Sequence, residues 1–245
     1  RLYVAGTDGQ IWRMDTTSDS VSKWGIPSSL KSQALVKVVD RTGEAQAITA
    51  PLALSVNERG QPMLLVGTGS FYRTGDNEIP ENPQVETLYG LFDSGQPIDG
   101  RRSLLQQTIV AQELRDGNLL RAVSANPLSS QMGWYLDLAW LSGNNATGAQ
   151  GERVVAKANV RGERVVFSTM TPASDPCASG GTSMLLALDL SSGRSLAYNY
   201  FNIGNSDRLW SGLSNPKAGV IKGVLMANGK LASVGSASNE SPIEA

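Results

Sequence analysis

A strand-turn-strand pattern that recurs four times in altered wording constrains this chain more than any other feature. LYVA at residues 2 to 5 reads as a strand and Gly6-Thr7-Asp8-Gly9 as a turn. Residues 10 to 15 read as the returning strand, with Ile11 alternating against Trp12 and Met14. The pattern returns as PMLLVGTGSFYR (62 to 73), joined through a polar insertion to TLYGLFDSG (87 to 95). RVVFSTMT (164 to 171) leads in the same way to SMLLALDLSSG (183 to 193). VIKGVLMANGKLASVGS (220 to 236) folds back at Asn228-Gly229, a strong two-residue hairpin signal. Stretches with a helical apolar period are few, so the class is all-β.

Taking the strands that begin near Leu2, Met63, Arg164 and Lys230 as equivalent gives offsets of about 61, 101 and 66 residues, against roughly 40 to 50 for a plain propeller blade. Insertions account for the excess. They are assigned to residues 74 to 86, rich in Pro, Asn and Glu, to 126 to 150, which carry Gly143-Asn144-Asn145, and to 172 to 182. Units of four short strands, each ending in an aspartate-turn-glycine such as Asp189 to Gly193, fit a β-propeller better than a sandwich. About three and a half blades fit into residues 1 to 245. Propellers close on themselves, so part of a ring leaves apolar faces wet. Either further blades come from another segment of the same parent protein, or the number of blades differs. The chain opens on Arg1 and runs at once into Leu2-Tyr3-Val4, which reads as a fragment or mature piece.

Composition removes whole classes of function. Lys and Arg number 21 against 22 Asp and Glu, so no basic face is expected to neutralise a row of phosphates, and nucleic acid is not an expected partner. Histidine is absent, which removes imidazole-based acid/base pairs, Ser-His-Asp and Cys-His systems and imidazole metal sites. A single cysteine, Cys177, can form neither a disulfide nor a multi-thiolate metal centre within the chain. In an oxidising compartment it is expected to pair with a cysteine beyond this chain. The longest apolar runs, such as residues 184 to 188, fall far short of the roughly 20 residues of a spanning helix, so no transmembrane segment is expected.

Few residues invite a chemical reading. VGTGS at 66 to 70 lacks the Lys and the strand-to-helix context of a phosphate loop, and reads instead as a strand-end bulge. Asp76, Glu78, Glu81 and Glu86 share one insertion without the spacing of a calcium loop, and read as a solvated loop. Of the five tryptophans, Trp12, Trp24, Trp134, Trp140 and Trp210, most are expected in the core, while Trp140 and Trp210, flanked by small and polar residues, are possible contact anchors. No catalytic, cofactor-binding or metal-ligating residue is assigned to this chain.

LLALDLSSGRSLAYNY resembles the blade motif of quinoprotein dehydrogenases, an Ala-x-Asp-x-x-Thr-Gly run followed by a docking Trp. Ala187, Asp189 and Gly193 match, Ser192 replaces Thr, and Ala197 stands where the Trp belongs. Those enzymes tend to carry a vicinal disulfide, which one cysteine cannot supply. The local reading of Asp189 and Gly193 is a tight turn made by side-chain hydrogen bonding and a left-handed glycine.

Taken together, RLYVAGTDGQIWRMD, the ITAPLAL run at 48 to 54, MLLVGTGSFY with ETLYGLFD, GWYLDL at 133 to 138, GERVVAKANVRGERVVFSTMTP and DPCASGGTSMLLALDLSSG occur in the order seen in another family. Nearly the whole chain resembles the C-terminal propeller of the PilY family, also called PilC adhesins, which are associated with the tips of bacterial type IV pili. The resemblance implies a modified seven-bladed β-propeller, of which residues 1 to 245 form about the C-terminal half. It implies a non-enzymatic scaffold and adhesin that supports pilus biogenesis, opposes retraction and mediates surface or host-cell attachment. The alternatives are a quinone-dependent propeller dehydrogenase and a structural module of another envelope protein. The implied partners are the remaining blades, minor pilins at the pilus tip, and a host or abiotic surface. The implied location is the cell surface, reached through periplasm and outer membrane. Calcium is implied for the parent protein, in an aspartate-rich loop expected just before Arg1, and not for these residues. Attachment would fall to the three insertions.

Overall fold

Strand β1 (Leu2–Ala5) and strand β2 (Gln10–Met14) form the first hairpin, with Leu2 opposite Met14 and Val4 opposite Trp12. Its turn works as its residues suggest. Asp8 accepts the Gln10 N–H at 3.1 Å, and Gly9 takes a φ of +77° where an added Cβ would lie 2.6 Å from the Val38 carbonyl oxygen. β3 (Val36–Lys37) completes a three-stranded sheet. The computed structural model describes residues 1–57, 59–141, 148–173, 180–204, 206–214, 219–227 and 230–236.

The second sheet begins as an antiparallel meander of β4 (Ala53–Val56), β5 (Pro62–Gly67) and β6 (Thr87–Phe92). The chain then runs through β7 (Leu105–Gln107), leaves for the hairpin β8 (Ile109–Arg115) and β9 (Asn118–Val123), and returns as β10 (Gly133–Asp137). β10 pairs antiparallel with β6 and parallel with β7, giving five strands in the order β4-β5-β6-β10-β7. The excursion is used elsewhere. β9 pairs with β16 (Gly212–Ser214), so β8–β9 extends the meander of β13 (Asn159–Arg161), β14 (Arg164–Pro172), β15 (Gly181–Asp189) and β16 to six strands. A short ribbon, β11 (Ala139–Trp140) with β12 (Gly148–Ala149), and a last hairpin, β17 (Ile221–Ala227) with β18 (Lys230–Gly235), complete the described strands.

The four repeats read from the sequence are therefore the hairpins β1–β2, β5–β6, β14–β15 and β17–β18. The dipeptide Asn228-Gly229 lies outside the described residues, but the register sets Ala227 against Lys230. The expectation of four strands per unit is not met, because one hairpin crosses between sheets. The described sheets have three, five and six strands, besides two ribbons of two.

Side chains of successive sheets meet in three cores. Ile11 and Val36 of the first sheet face Leu64, Val66, Tyr89 and Leu91 of the second. The opposite face of the second sheet, with Met63, Leu65, Leu88 and Trp134, meets Val165, Phe167, Leu186 and Leu188 of the third. The far side of the third, with Val166, Leu185 and Ala187, packs with Phe201, Trp210 and Ile221. Because strand residues alternate in direction, both faces of the second and third sheets are used, and their central strands read as continuous apolar runs.

The second seam turns on Trp134. It is fully buried, meets the Phe167 ring edge-on at 6.3 Å, and donates its indole N–H to the Leu190 carbonyl at 2.9 Å. Two glycines make room for it. A Cβ on Gly90 would lie 2.3 Å from the indole nitrogen, and one on Gly193 would lie 2.3 Å from ring carbons. Gly193 ends the turn expected from Asp189, whose carboxylate accepts the Ser192 N–H at 2.8 Å while Gly193 takes a φ of +68°. The tryptophan that covers this turn thus comes from β10, on the preceding sheet, and not from four residues further along the chain.

Three readings of the sequence are corrected here. Residues 126 to 150 are not a loop insertion, since they contain β10, whose five residues are all buried. Trp210 is not a contact anchor. It is 3% exposed, its indole N–H donates to Ser206 Oγ at 2.9 Å, and the Arg115 and Arg208 guanidinium groups lie 5.9 and 5.7 Å from its ring. The glycines of Val66 to Ser70 make no bulge, because the β5–β6 register runs unbroken to Gly67 opposite Leu88. They admit a crossing segment instead, and a Cβ on Gly67 would lie 2.4 Å from Val154.

Candidate functional site

Two surfaces stand out from the packed seams. The first is the outer face of the β1–β2 hairpin. Tyr3, Ala5 and Ile11 point into the first core, and the alternate residues Leu2, Val4, Trp12 and Met14 point away from it. Leu2 and Val4 are each 49% exposed. Their cross-strand partners place Leu2 beside Met14 and Val4 beside Trp12, so the four form one apolar patch. A groove of about 430 Å³ continues it, between β1 and the segment from Ile48 to Leu54. The hairpin itself is held rigidly. Tyr3 OH donates to Asp93 at 2.6 Å, Arg13 Nη1 donates to the same carboxylate at 3.2 Å, and the Gly95 N–H adds a third bond at 2.8 Å. Burial, then the Asp93 carboxylate, push the Tyr3 hydroxyl up to about 12, so it stays a donor throughout the physiological range.

The second surface is a cavity of about 490 Å³ between the third sheet and the β11–β12 ribbon. One face of β14 reads Val165, Phe167, Thr169, Thr171, and the adjoining face of β15 reads Leu188, Leu186, Met184, Thr182. Apolar residues occupy the half facing Trp134, and the hydroxyls of Thr169, Thr171 and Thr182, with Met184, occupy the half facing the cavity. On the floor, Arg121 and Glu152 make a two-pronged pair at 2.9 Å on each arm. Thr169 OH donates to Glu152 at 2.6 Å, and Gln112 Oε1 accepts from Arg121 Nη2 at 3.1 Å. Trp140 and Leu138 form part of the wall. Sequence reasoning picked out Trp140 but missed Gln112, Arg121, Glu152 and Thr169. The legible signal was the change from Val and Phe to Thr at alternate positions of one strand.

The predicted loops are placed differently from one another. In residues 74 to 86, Asp76 is a turn former, not a free carboxylate. It accepts from Ser70 Oγ at 2.6 Å, the Arg73 N–H at 2.8 Å and the Tyr72 N–H at 2.9 Å. Desolvation works against its charge, but these bonds prevail and hold it below the usual carboxylate range. Arg153 ties the loop down by donating to the Ser70 and Asp76 carbonyls at 3.1 and 2.9 Å. Glu86 corrects the reading of a solvated loop. Partly buried at the foot of β6, it accepts the Thr68 hydroxyl, and burial pushes it up to about 7 against the opposing pull of Thr68 and Arg153. Beside this loop Phe71 and Tyr72 are exposed. In the third insertion, Pro172, Gly181 and Thr182 belong to β14 and β15, while residues 174 to 179, with Cys177, lie outside the described residues.

Among the described residues no three His, Cys, Asp or Glu side chains gather to hold a metal ion. No helix among them is long and apolar enough to cross a membrane.

No protein-family model matches the chain. It is 35% identical, over 78% of its length, to a type IV pilus biogenesis factor PilY1 homolog of Xylella fastidiosa, and covers 13% of that protein. It is 28% identical, over 82% of its length, to type IV pilus biogenesis factor PilY1 of Pseudomonas aeruginosa, and covers 20% of it. Its fold matches the crystal structure of the Pseudomonas aeruginosa PilY1 C-terminal domain with a TM-score of 0.78 at 22% identity, across 99% of this chain and 56% of that one. The chain thus spans a fifth or less of these curated relatives and just over half of the solved domain. The architecture is that of the all-β PilY1 C-terminal domain, and the chain belongs to the PilY family, in the region of that C-terminal domain.

Proposed function

We propose that this chain is about half of a β-propeller in a non-enzymatic scaffold and adhesin of the type IV pilus tip. In this reading the parent protein supports pilus biogenesis, opposes retraction and mediates attachment to host or abiotic surfaces from the outside of the cell. The observation that carries it is the 35% identity to a type IV pilus biogenesis factor over most of the chain. Fold alone does not assign function, so the sequence likeness bears the weight. The surface supports the same reading. The patch of Leu2, Val4, Trp12 and Met14 belongs to a hairpin fixed by Asp93, and upstream blades of the same protein are its natural cover. Coverage of 56% of the solved domain leaves chain enough to supply them.

Calcium enters this reading only through the parent protein, in an aspartate-rich loop expected just before Arg1. The upstream residues of the gene test that directly. The function is tested by deleting the parent gene. Loss of surface pili and of twitching, both restored by the intact gene, is the expected result. Unchanged piliation and twitching would assign the chain to another envelope protein, and dye-linked alcohol oxidation by the purified parent protein would make it a quinone enzyme.

A further inference from the structure

The cavity beside Trp140 plays no part in closing the fold, and its lining is unlike the seams. From Val165 and Phe167 the face of β14 changes to Thr169 and Thr171 within one strand, so hydroxyls stand where another apolar contact would stabilise a packed core. At about 490 Å³ the space lies within the range of small-molecule sites, roughly 300 to 1,000 Å³. Its charges cancel. Arg121 is matched by Glu152, and Glu113 at the rim pairs with Arg115 at 2.9 Å. A charged ligand would find no spare counter-charge among the described lining residues, and a purely apolar one would strand the hydroxyls. What remains is a ligand with an apolar face and a rim of groups that both donate and accept.

We propose that this cavity binds a short neutral saccharide, with Trp140 as the platform for the apolar face of a sugar ring and with Gln112, Thr171 and Thr182 hydrogen-bonding its hydroxyls. An indole offers a broad apolar face at low entropic cost, and the side chains around it supply several donors and acceptors in a confined space. The Arg121–Glu152 pair holds the floor in one geometry, since both arms of the pair and the Thr169 hydroxyl are already engaged. The inference deepens the attachment reading by naming a ligand class for it, and saccharide binding is measurable whether or not the pili are affected.

The test uses the purified full-length parent protein on an array of neutral oligosaccharides ending in galactose, glucose, mannose or N-acetylhexosamine, with sialylated and sulfated counterparts. Binding to at least one neutral glycan, competed by the free sugar, is expected. Trp140→Ala should weaken it roughly tenfold or more, and Trp140→Phe, which keeps an aromatic platform, should weaken it less. Trp140 also packs against the second core, so a melting temperature measured beside each binding curve separates ligand loss from unfolding. Thr171→Val, on the cavity side of β14, should weaken binding without lowering that temperature. Absence of binding to every neutral glycan, binding confined to acidic glycans, or full binding by Trp140→Ala would each overturn the proposal. None of these outcomes bears on the pilus assignment, which the gene deletion reads separately.

Discussion

The two faces of the β1–β2 hairpin differ in almost everything but sequence style. The inner face, with Tyr3, Ala5 and Ile11, is packed against the second sheet and anchored through Asp93, while the outer face sets Leu2, Val4, Trp12 and Met14 toward open space. Both alternate apolar residues in the manner of a strand buried on two sides. The difference is that the inner face has a packed neighbour among the described residues, while the outer face is the one that the proposed function assigns to further blades of the parent protein. The seam at Trp134 shows what a completed interface of the same kind looks like. An aromatic side chain is seated on two glycines and its N–H is matched by a carbonyl.

The sharpest way to break that contrast is to damage a finished seam. Trp134→Ala should cost roughly 3 to 5 kcal/mol in denaturant unfolding, and Trp134→Phe less, though it still loses the bond to Leu190. A loss under about 1 kcal/mol would mean that the seam is not a close-packed interface.

Next comes a carboxylate that the interior holds at a cost. Glu86 binds its proton more tightly folded, near 7, than unfolded, near 4.5. Between those values the native state carries more protons, so its contribution to stability is full below about 4.5 and is lost as pH rises through about 7. Glu86→Gln should therefore raise stability at pH 8 by on the order of 2 kcal/mol and flatten the profile between about pH 5 and 7. A variant that is less stable at pH 8 than wild type would show that the charge is wanted.

The open face yields a smaller, context-dependent effect. If further blades cover it in the full-length parent, as proposed, Val4→Ala should cost roughly 1.5 kcal/mol there and only a few tenths in residues 1 to 245 expressed alone. Equal losses in both would mean that nothing covers this face. Smallest of all is the surface pair of Glu113 and Arg115 on the outermost strand of the third sheet. Glu113→Ala should change stability by less than about 0.5 kcal/mol, and less still at high salt.

Much of the candidate surface was legible only in part. Leu2, Val4, Trp12 and Met14 can be read as one face from alternation alone. The cavity is different. Gln112, Arg121, Glu152 and Thr169 stand on four separate stretches of chain, brought together because β8–β9 crosses to the third sheet. No local pattern announces such a crossing. Trp210, between small and polar neighbours in sequence, looked like a surface residue. It is buried by Arg115, Arg208 and the far face of the third sheet.

What the sequence determined by itself is what short-range physics decides. The all-β class, the four hairpins, the turn of Asp8 and Gly9 and the turn of Asp189 and Gly193 depend on residues within about ten positions of one another, where alternation and left-handed glycines act directly. Only the tertiary structure decided that Trp134 covers a turn 56 residues further along, that a hairpin is lent from one sheet to the next, and that Glu86 sits with Thr68 and not in water. Those outcomes rest on volume, desolvation and hydrogen bonding between distant segments, quantities that come into being only when the sheets meet.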